Sequence, residues 1–378
     1  MNQISDTWKR LAIRDRWETA PKWAQMLIAA VLLAFFIYLP FIGGPLNFIR
    51  TDSGTGGSDW SGVLTNVAIY MVIAIGLNVV IGLAGLLDLG YVGFYALGAY
   101  SVALFGSPES PVTKKFVEWF GLSEGWAVPF VACIPIAIAF ALAAGVILGA
   151  PTLRLRGDYL AIVTMGFGEI IRIFMRNATP VTGGPNGVIG IPRPPGPEID
   201  GRSYFNLIDG YRWYWLVLAV LILVIWLTRR LENSRVGRSW LAIREDEDAA
   251  AVMGVNGLKY KLWAFAIGAT LGAIAGMLFA SKQGTVEPNG FALNLSFLFV
   301  AMVVIGGSGN MVGVLIGAFL ITYLPERFRW FNEWRPFAFG VALVTIMVLR
   351  PQGLVPNRRR ARELEDRKVE AEEVAADA

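Results

Sequence analysis

The stretch Gly76-Leu-Asn-Val-Val-Ile-Gly-Leu-Ala-Gly-Leu-Leu-Asp88-Leu-Gly-Tyr-Val-Gly-Phe-Tyr-Ala-Leu-Gly-Ala-Tyr100 is almost wholly apolar, yet glycines punctuate it and one carboxylate, Asp88, sits near its middle. Glycine has no Cβ, so a helix carrying Gly82, Gly85, Gly90, Gly93 and Gly98 approaches its neighbours closely where no hydrophobic force draws helices together. The break Ala84-Gly-Leu-Leu-Asp-Leu-Gly90 adds a second constraint. Backbone groups freed there must face protein or a water-filled path, never lipid. Asp88 then caps a helix starting at Leu89, or sits at headgroup level, or lines a pathway; Asn78 precedes the same break and Gly85 lies within it.

The whole chain has this character. Of 378 residues 55% are hydrophobic and only 16% charged, with a mean hydropathy of +0.53, whereas a soluble domain is nearer a quarter charged. The basic excess (33 Lys+Arg against 29 Asp+Glu) flanks apolar runs rather than forming one patch, which argues against nucleic acid and for cytoplasmic helix ends. With no histidine and one cysteine, Cys133, disulfides, Cys/His metal sites and His-assisted nucleophiles are excluded. No acid, base and nucleophile assemble, so an enzyme is not expected, and neither is a cofactor on this chain. No Walker sequence occurs.

A span needs about 20 apolar residues, fewer where protein surrounds it. That ruler yields about ten segments: 22–41, 61–83, 90–106, 127–150, 158–176, 213–229, 260–281, 291–307, 310–324 and 335–350. Those at 90–106, 291–307 and 310–324 are short and glycine-rich, so eight crossings plus two re-entrant pieces fit nearly as well. The expected architecture is an all-α, polytopic membrane protein, with a transmembrane domain over 22–350. Residues 1–21 mix signs and aromatics, as an interfacial helix or a solvated tail does, and carry no cleavable signal. Residues 351–378 form a charged tail.

Bases concentrate at alternate joints: Arg154 and Arg156, Arg230 to Lys259, and Arg358 to Arg360. This positive-inside pattern places both termini, the joints 84–89, 151–157 and 308–309, and the loop 230–259 in the cytoplasm. The loops 42–60, 107–126, 177–212, 282–290 and 325–334 lie on the opposite side. Gly90 to Tyr100 also echoes Gly309 to Phe319, each following a span and a glycine break, as in transporters built from duplicated halves.

Glu169 and Arg172, three apart in 158–176, share a helix face. They are either part of a pathway or a structural pair. Thr182-Gly-Gly-Pro-Asn-Gly187 lacks the strand and the Gly-Lys-Ser/Thr of a phosphate loop and reads as turns. Within 230–259, acids at Glu245 to Asp248 open a short helix, alanines fill it and Gly254 stops it. Ala250, Val252 and Met253 are expected to be exposed, giving a docking element or a helix packed back on its own chain.

The chain resembles the larger permease subunit of bacterial branched-chain amino acid ABC importers. The resemblance rests on Gly76-Leu-Asn to Tyr100, Leu155-Arg-Gly-Asp-Tyr-Leu-Ala-Ile-Val-Thr164 with Glu169-Ile-Ile-Arg172, Thr182 to Gly187, Ser234-Arg-Val-Gly-Arg-Ser-Trp-Leu-Ala-Ile-Arg244 with Ala249 to Gly254, and Val304-Ile-Gly-Gly-Ser-Gly-Asn-Met-Val-Gly313. It implies the roughly ten-helix fold of simple-sugar and vitamin B12 importers. It also implies an inner-membrane heterodimer with a second permease, two cytoplasmic ATPase subunits that bind the ATP, and a periplasmic binding protein. Glu247, Ala249, Ala250, Met253 and Gly254 would correspond to the coupling helix, and the breaks at Gly85 and at Gly307 and Gly309 would line the path. A same-family carrier of urea, short amides or aromatic acids is the nearest alternative. An ion-coupled secondary transporter is more distant, having no use for a docking helix.

Overall fold

The structure of the chain, a computed structural model, describes residues 34–41, 60–123, 125–153, 158–199, 202–205, 210–327 and 353–355, with isolated positions between 337 and 348. The segments 1–21 and 42–59, most of the runs 22–41 and 335–350, the joint 154–157 and most of the tail 351–378 lie outside these residues. Residues 34–38 are helical and lead into a 3-10 turn at Leu39–Phe41.

From residue 60 onward the described chain is mostly helical: α1 Trp60–Asn78, α2 Tyr91–Gly106, α3 Pro111–Phe120, α4 Phe130–Thr152, α5 Asp158–Asn177, α6 Gly210–Glu232, α7 Arg235–Glu245, α8 Glu247–Val252, α9 Gly257–Gln283, α10 Leu293–Gly306 and α11 Met311–Arg327. Four helices are long and apolar enough to cross a membrane: α1 with its π-turn extension to Leu83, α4, α6 and α9. The apolar windows of α1 and α9 are 78% and 67% buried, those of α4 and α6 only 22% and 33%. Apolar all round yet buried inside, α1 and α9 form the centre; apolar and exposed, α4 and α6 form the outer wall.

Small residues and aromatics interlock at the centre. A Cβ on Gly98 of α2 would lie 2.5 Å from the Ala273 carbonyl carbon of α9, and one on Gly276 of α9 would strike the Tyr95 carbonyl of α2. Backbones this close exclude any side chain, so glycine sets the α2–α9 separation. Beside them Tyr91 meets Phe299 at 6.5 Å and Tyr95 meets Phe299 at 5.7 Å, both edge-on. The Tyr91 hydroxyl donates to the Gly268 carbonyl at 2.7 Å, so the buried phenol is satisfied.

Long-range contacts sort the connections into two ends. At one end Ser107 donates to the Ile189 carbonyl (2.5 Å), Val188–Ile189 pairs antiparallel with Thr285–Val286, and Lys282 donates to the Gly62 carbonyl at 2.8 Å. At the other end the breaks after α1 and α10 meet each other and the α7–α8 segment, as described below. The grouping agrees with the alternation read from the charges. Thr182 to Gly187 forms the expected turns, with a 3-10 turn at Gly184–Asn186. The echoing glycine runs both leave the break end, but Gly98 packs on Ala273 of α9 whereas Gly317 packs on Met302 of α10.

The loop 107–126 holds a helix that the span reading left as a loop. Ser110 caps α3 by accepting the Val112 N–H, and Gly121 ends it in the left-handed conformation. Its ten residues are too few for a span, and its aromatics Phe116, Trp119 and Phe120 are exposed while Thr113 is buried.

Gly98→Val should cost about 1–3 kcal/mol or more through overpacking, lowering the melting temperature of the detergent-solubilised protein by several degrees. Gly62→Ala, where a Cβ meets nothing within 4 Å, should leave it unchanged or raise it, because alanine favours a helix. Thermal denaturation of both variants checks the contrast.

Candidate functional site

The first break begins while α1 is still helical. Val79–Leu83 widens into a π-turn, with the Ala84 N–H donating to the Val79 carbonyl at 3.2 Å and the Leu86 N–H to Val80 at 3.0 Å. Gly85 then takes φ +72°, a conformation a side chain would strain. The chain then runs without regular structure from Leu86 to Gly90, bending at Leu89, and turns back into the bundle. Tyr91, the first residue of α2, has its hydroxyl against Gly76, about 10 Å back along α1 from Leu83. The connection therefore reverses and climbs inside protein, which is where exposed backbone is tolerated.

Both backbone groups of Leu89 find side-chain partners. The Leu89 N–H donates to Thr164 Oγ1 of α5 at 3.1 Å, and its carbonyl accepts from Ser296 of α10 at 2.5 Å. Asp88 does not cap a helix starting at Leu89. The helix starts at Tyr91 with Gly90 before it, and Asp88 Oδ1 accepts the Gly90 N–H at 2.9 Å, closing the turn ahead of the helix. Its side chain is fully buried within the chain. Its Oδ2 has no hydrogen-bond partner among the described residues. It lines a cavity of about 10 Å³ with Phe94, Leu148, Thr152, Thr164, Phe167 and Phe265, room for roughly one water.

The second break, Gly307 to Asn310, lies against the first. Gly307 and Gly309 take φ +112° and +83°, and the Gly309 N–H donates to Asn78 Oδ1 at 2.8 Å. A Cβ on Gly82 would lie 2.5 Å from that same Gly309 nitrogen and would also strike Asn78. Residues 353–355 close the site from the other side. Leu354 and Val355 donate to the Ile305 and Gly306 carbonyls (2.8 and 3.2 Å), and Asn310 Nδ2 donates to the Val355 carbonyl at 3.2 Å. The last carbonyls of α10 are thus satisfied by distant chain rather than by water.

The α7–α8 segment docks beneath. Ser234 caps α7 by accepting the Gly237 N–H at 3.3 Å, and buried Trp240 donates to the Tyr260 carbonyl at 2.7 Å. Arg244 donates through Nη1 to the Gly82 carbonyl in the π-turn; a Cβ on Gly85 would sit 2.8 Å from Arg244 Cγ. Asp246 caps α8, accepting the Asp248 and Ala249 N–H groups at 2.9 Å. Glu247 pairs at 2.6 Å with Lys261 of α9, and Gly254 ends the segment at φ +84°. The acidic start and glycine stop stand as expected.

The expected exposure of Ala250 does not. Ala250 is buried at 5%, while Val252 and Met253 are 87% and 82% exposed. At about 100° per residue, positions 247 and 250 share the face turned to the chain, and 252 and 253 turn away. Ala249 and Gly254 are also exposed.

Glu169 and Arg172 do come together, with Arg172 Nε donating to Glu169 at 3.0–3.1 Å and Nη2 donating as well. They lie on α5, apart from the joined breaks. Sequence reading took Gly82 only as a close-packing glycine and gave Arg244, Ser296 and the 353–355 segment no part in the site. The close pair Gly82 and Gly85 facing a basic loop was the signal available for the first two.

The family described as "Branched-chain amino acid transport system / permease component" matches residues 60–349. The chain is 41% identical over 314 residues, 79% of its length and 70% of the relative's, to the high-affinity branched-chain amino acid transport system permease protein LivM of Escherichia coli K12. It is 26% identical over 327 residues (78% and 93%) to a probable LivM of Methanocaldococcus jannaschii. It is 25% identical over 297 residues (76% and 91%) to LivH of Escherichia coli K12, a second permease protein of that system. No solved structure matches the chain. With two joined helix breaks and the α7–α8 segment tied to them in a bundle of apolar helices, the chain belongs to the permease components of branched-chain amino acid transport systems.

Proposed function

We propose that this chain is the larger permease subunit of an ATP-driven importer of branched-chain amino acids. It pairs with a second, LivH-like permease in the bacterial inner membrane. Two cytoplasmic ATPase subunits drive it, and a periplasmic binding protein delivers the substrate. The fold is the roughly ten-helix type of simple-sugar and vitamin B12 importers, with both termini and the 230–259 loop in the cytoplasm.

One observation carries this reading. The α7–α8 segment projects the exposed apolar pair Val252 and Met253 from the end where both helix breaks meet, and it is tied to them by Arg244 and to α9 by Glu247. A stand-alone carrier has no use for such a tip. A partner that moves it acts directly on the breaks.

Met253→Glu together with Val252→Glu should leave permease abundance unchanged, because both side chains point away from the bundle. Placing unpaired charges in a packed contact costs several kcal/mol, so ATPase binding should weaken about a hundredfold or more. Ala250→Arg should instead reduce permease abundance, since Ala250 packs on its own chain. Co-purification of ATPase with each variant, normalised to permease, checks both; undiminished ATPase capture by the double variant contradicts the docking reading.

Glu247→Gln leaves Lys261, 8% exposed, without its carboxylate. The penalty is smaller than for a fully buried pair because Glu247 is half-exposed. Faster amide exchange over 246–257 is expected, with restoration of slow exchange by the added change Lys261→Met.

A further inference from the structure

We infer that Arg244 is a positioning residue for coupling: it keys the docking segment to the π-turn at Val79–Leu83, so that movement of α8 is delivered to both helix breaks at once. This rests on the transport reading above.

The geometry forms one short chain of contacts. Arg244 leaves the end of α7, just before the Asp246 cap that starts α8. Its guanidinium donates to the carbonyl of Gly82, the fourth residue of the π-turn, while its aliphatic stem lies against Gly85, where the chain turns at φ +72°. Gly82 packs on the Asn78 side chain, whose Oδ1 accepts the Gly309 N–H of the second break. A displacement of α8 therefore reaches Gly82 through one side chain, and Gly309 through one more.

The recipient is suited to switching. A π-turn holds one residue more than an α-turn and is found mostly at functional positions. Expelling that residue restores α-helical register and shifts the non-helical limb 84–90 relative to α1. That limb carries Asp88 and its cavity, so a change in the π-turn reaches the only fully buried carboxylate among the described residues. A contact serving packing alone needs no hydrogen bond to the turn's carbonyl. Coupling needs a bond that differs between the two arrangements, for only differential interaction shifts an equilibrium.

The test uses the complete complex of this permease, its sister permease, both ATPases and the binding protein in proteoliposomes. ATP hydrolysis and leucine uptake are measured in the same vesicles. Arg244→Ala should retain its ATPases and hydrolyse ATP within about twofold of wild type, while leucine moved per ATP falls about tenfold. Arg244→Lys, which can still donate to the carbonyl, should recover part of that ratio. Gly85→Ala, which pushes Arg244 aside from the opposite side of the contact, should reproduce the uncoupling. Uptake and hydrolysis falling together in all three variants, with an unchanged ratio, would overturn the inference and leave Arg244 a packing residue. A wild-type complex without ATP-driven leucine uptake would overturn the transport reading and this inference with it.

Discussion

A helix that breaks inside a bundle must find protein partners for the backbone groups it frees, and here two breaks satisfy each other. The Gly309 N–H of one is accepted by the Asn78 side chain of the other at 2.8 Å. Gly82 is held to a hydrogen atom so that the two backbones can touch. An unpaired buried N–H costs about 1–3 kcal/mol, and with no water in the hydrocarbon that cost is larger still. The glycines, the reversed connection and the short lengths of α2 and α10 follow from this one requirement. Leu89, shared between Thr164 and Ser296, repeats the solution deeper in the bundle.

The same end of the molecule meets the α7–α8 segment. It is anchored by Trp240 and by the Glu247–Lys261 pair, and it faces outward with Val252 and Met253. On the proposed reading, an ATPase seated on this tip would pull an element whose inner face is anchored.

Much of this was legible in the sequence. Helix breaks at 84–90 and 306–310 follow from glycines within apolar runs, and the start of α8 follows from acids before alanines. The ranges 61–83 and 127–150 correspond to Trp60–Leu83 and Phe130–Thr152. These signals are local. What stayed hidden depends on partners far along the chain: Asn78 with Gly309, Arg244 with Gly82, and 353–355 with the end of α10. Ala250 illustrates the difference. Its place in a short helix was readable, but its direction depends on where α9 puts Lys261. Asp88 accepts the Gly90 N–H as a cap would, yet Gly90 is not helical and α2 begins only at Tyr91, so the bond closes the preceding turn.

The central claim is that the two breaks form one unit. Amide hydrogen exchange on the purified permease in lipid nanodiscs tests it directly, comparing wild type with Asn78→Ala across segments 79–90 and 305–311. If the breaks are one unit, removing the single acceptor accelerates exchange in both segments by the same factor while α4 and α6 are unaffected. Acceleration confined to one segment, with the other as slow as in wild type, would show that the breaks stand independently and would contradict the account.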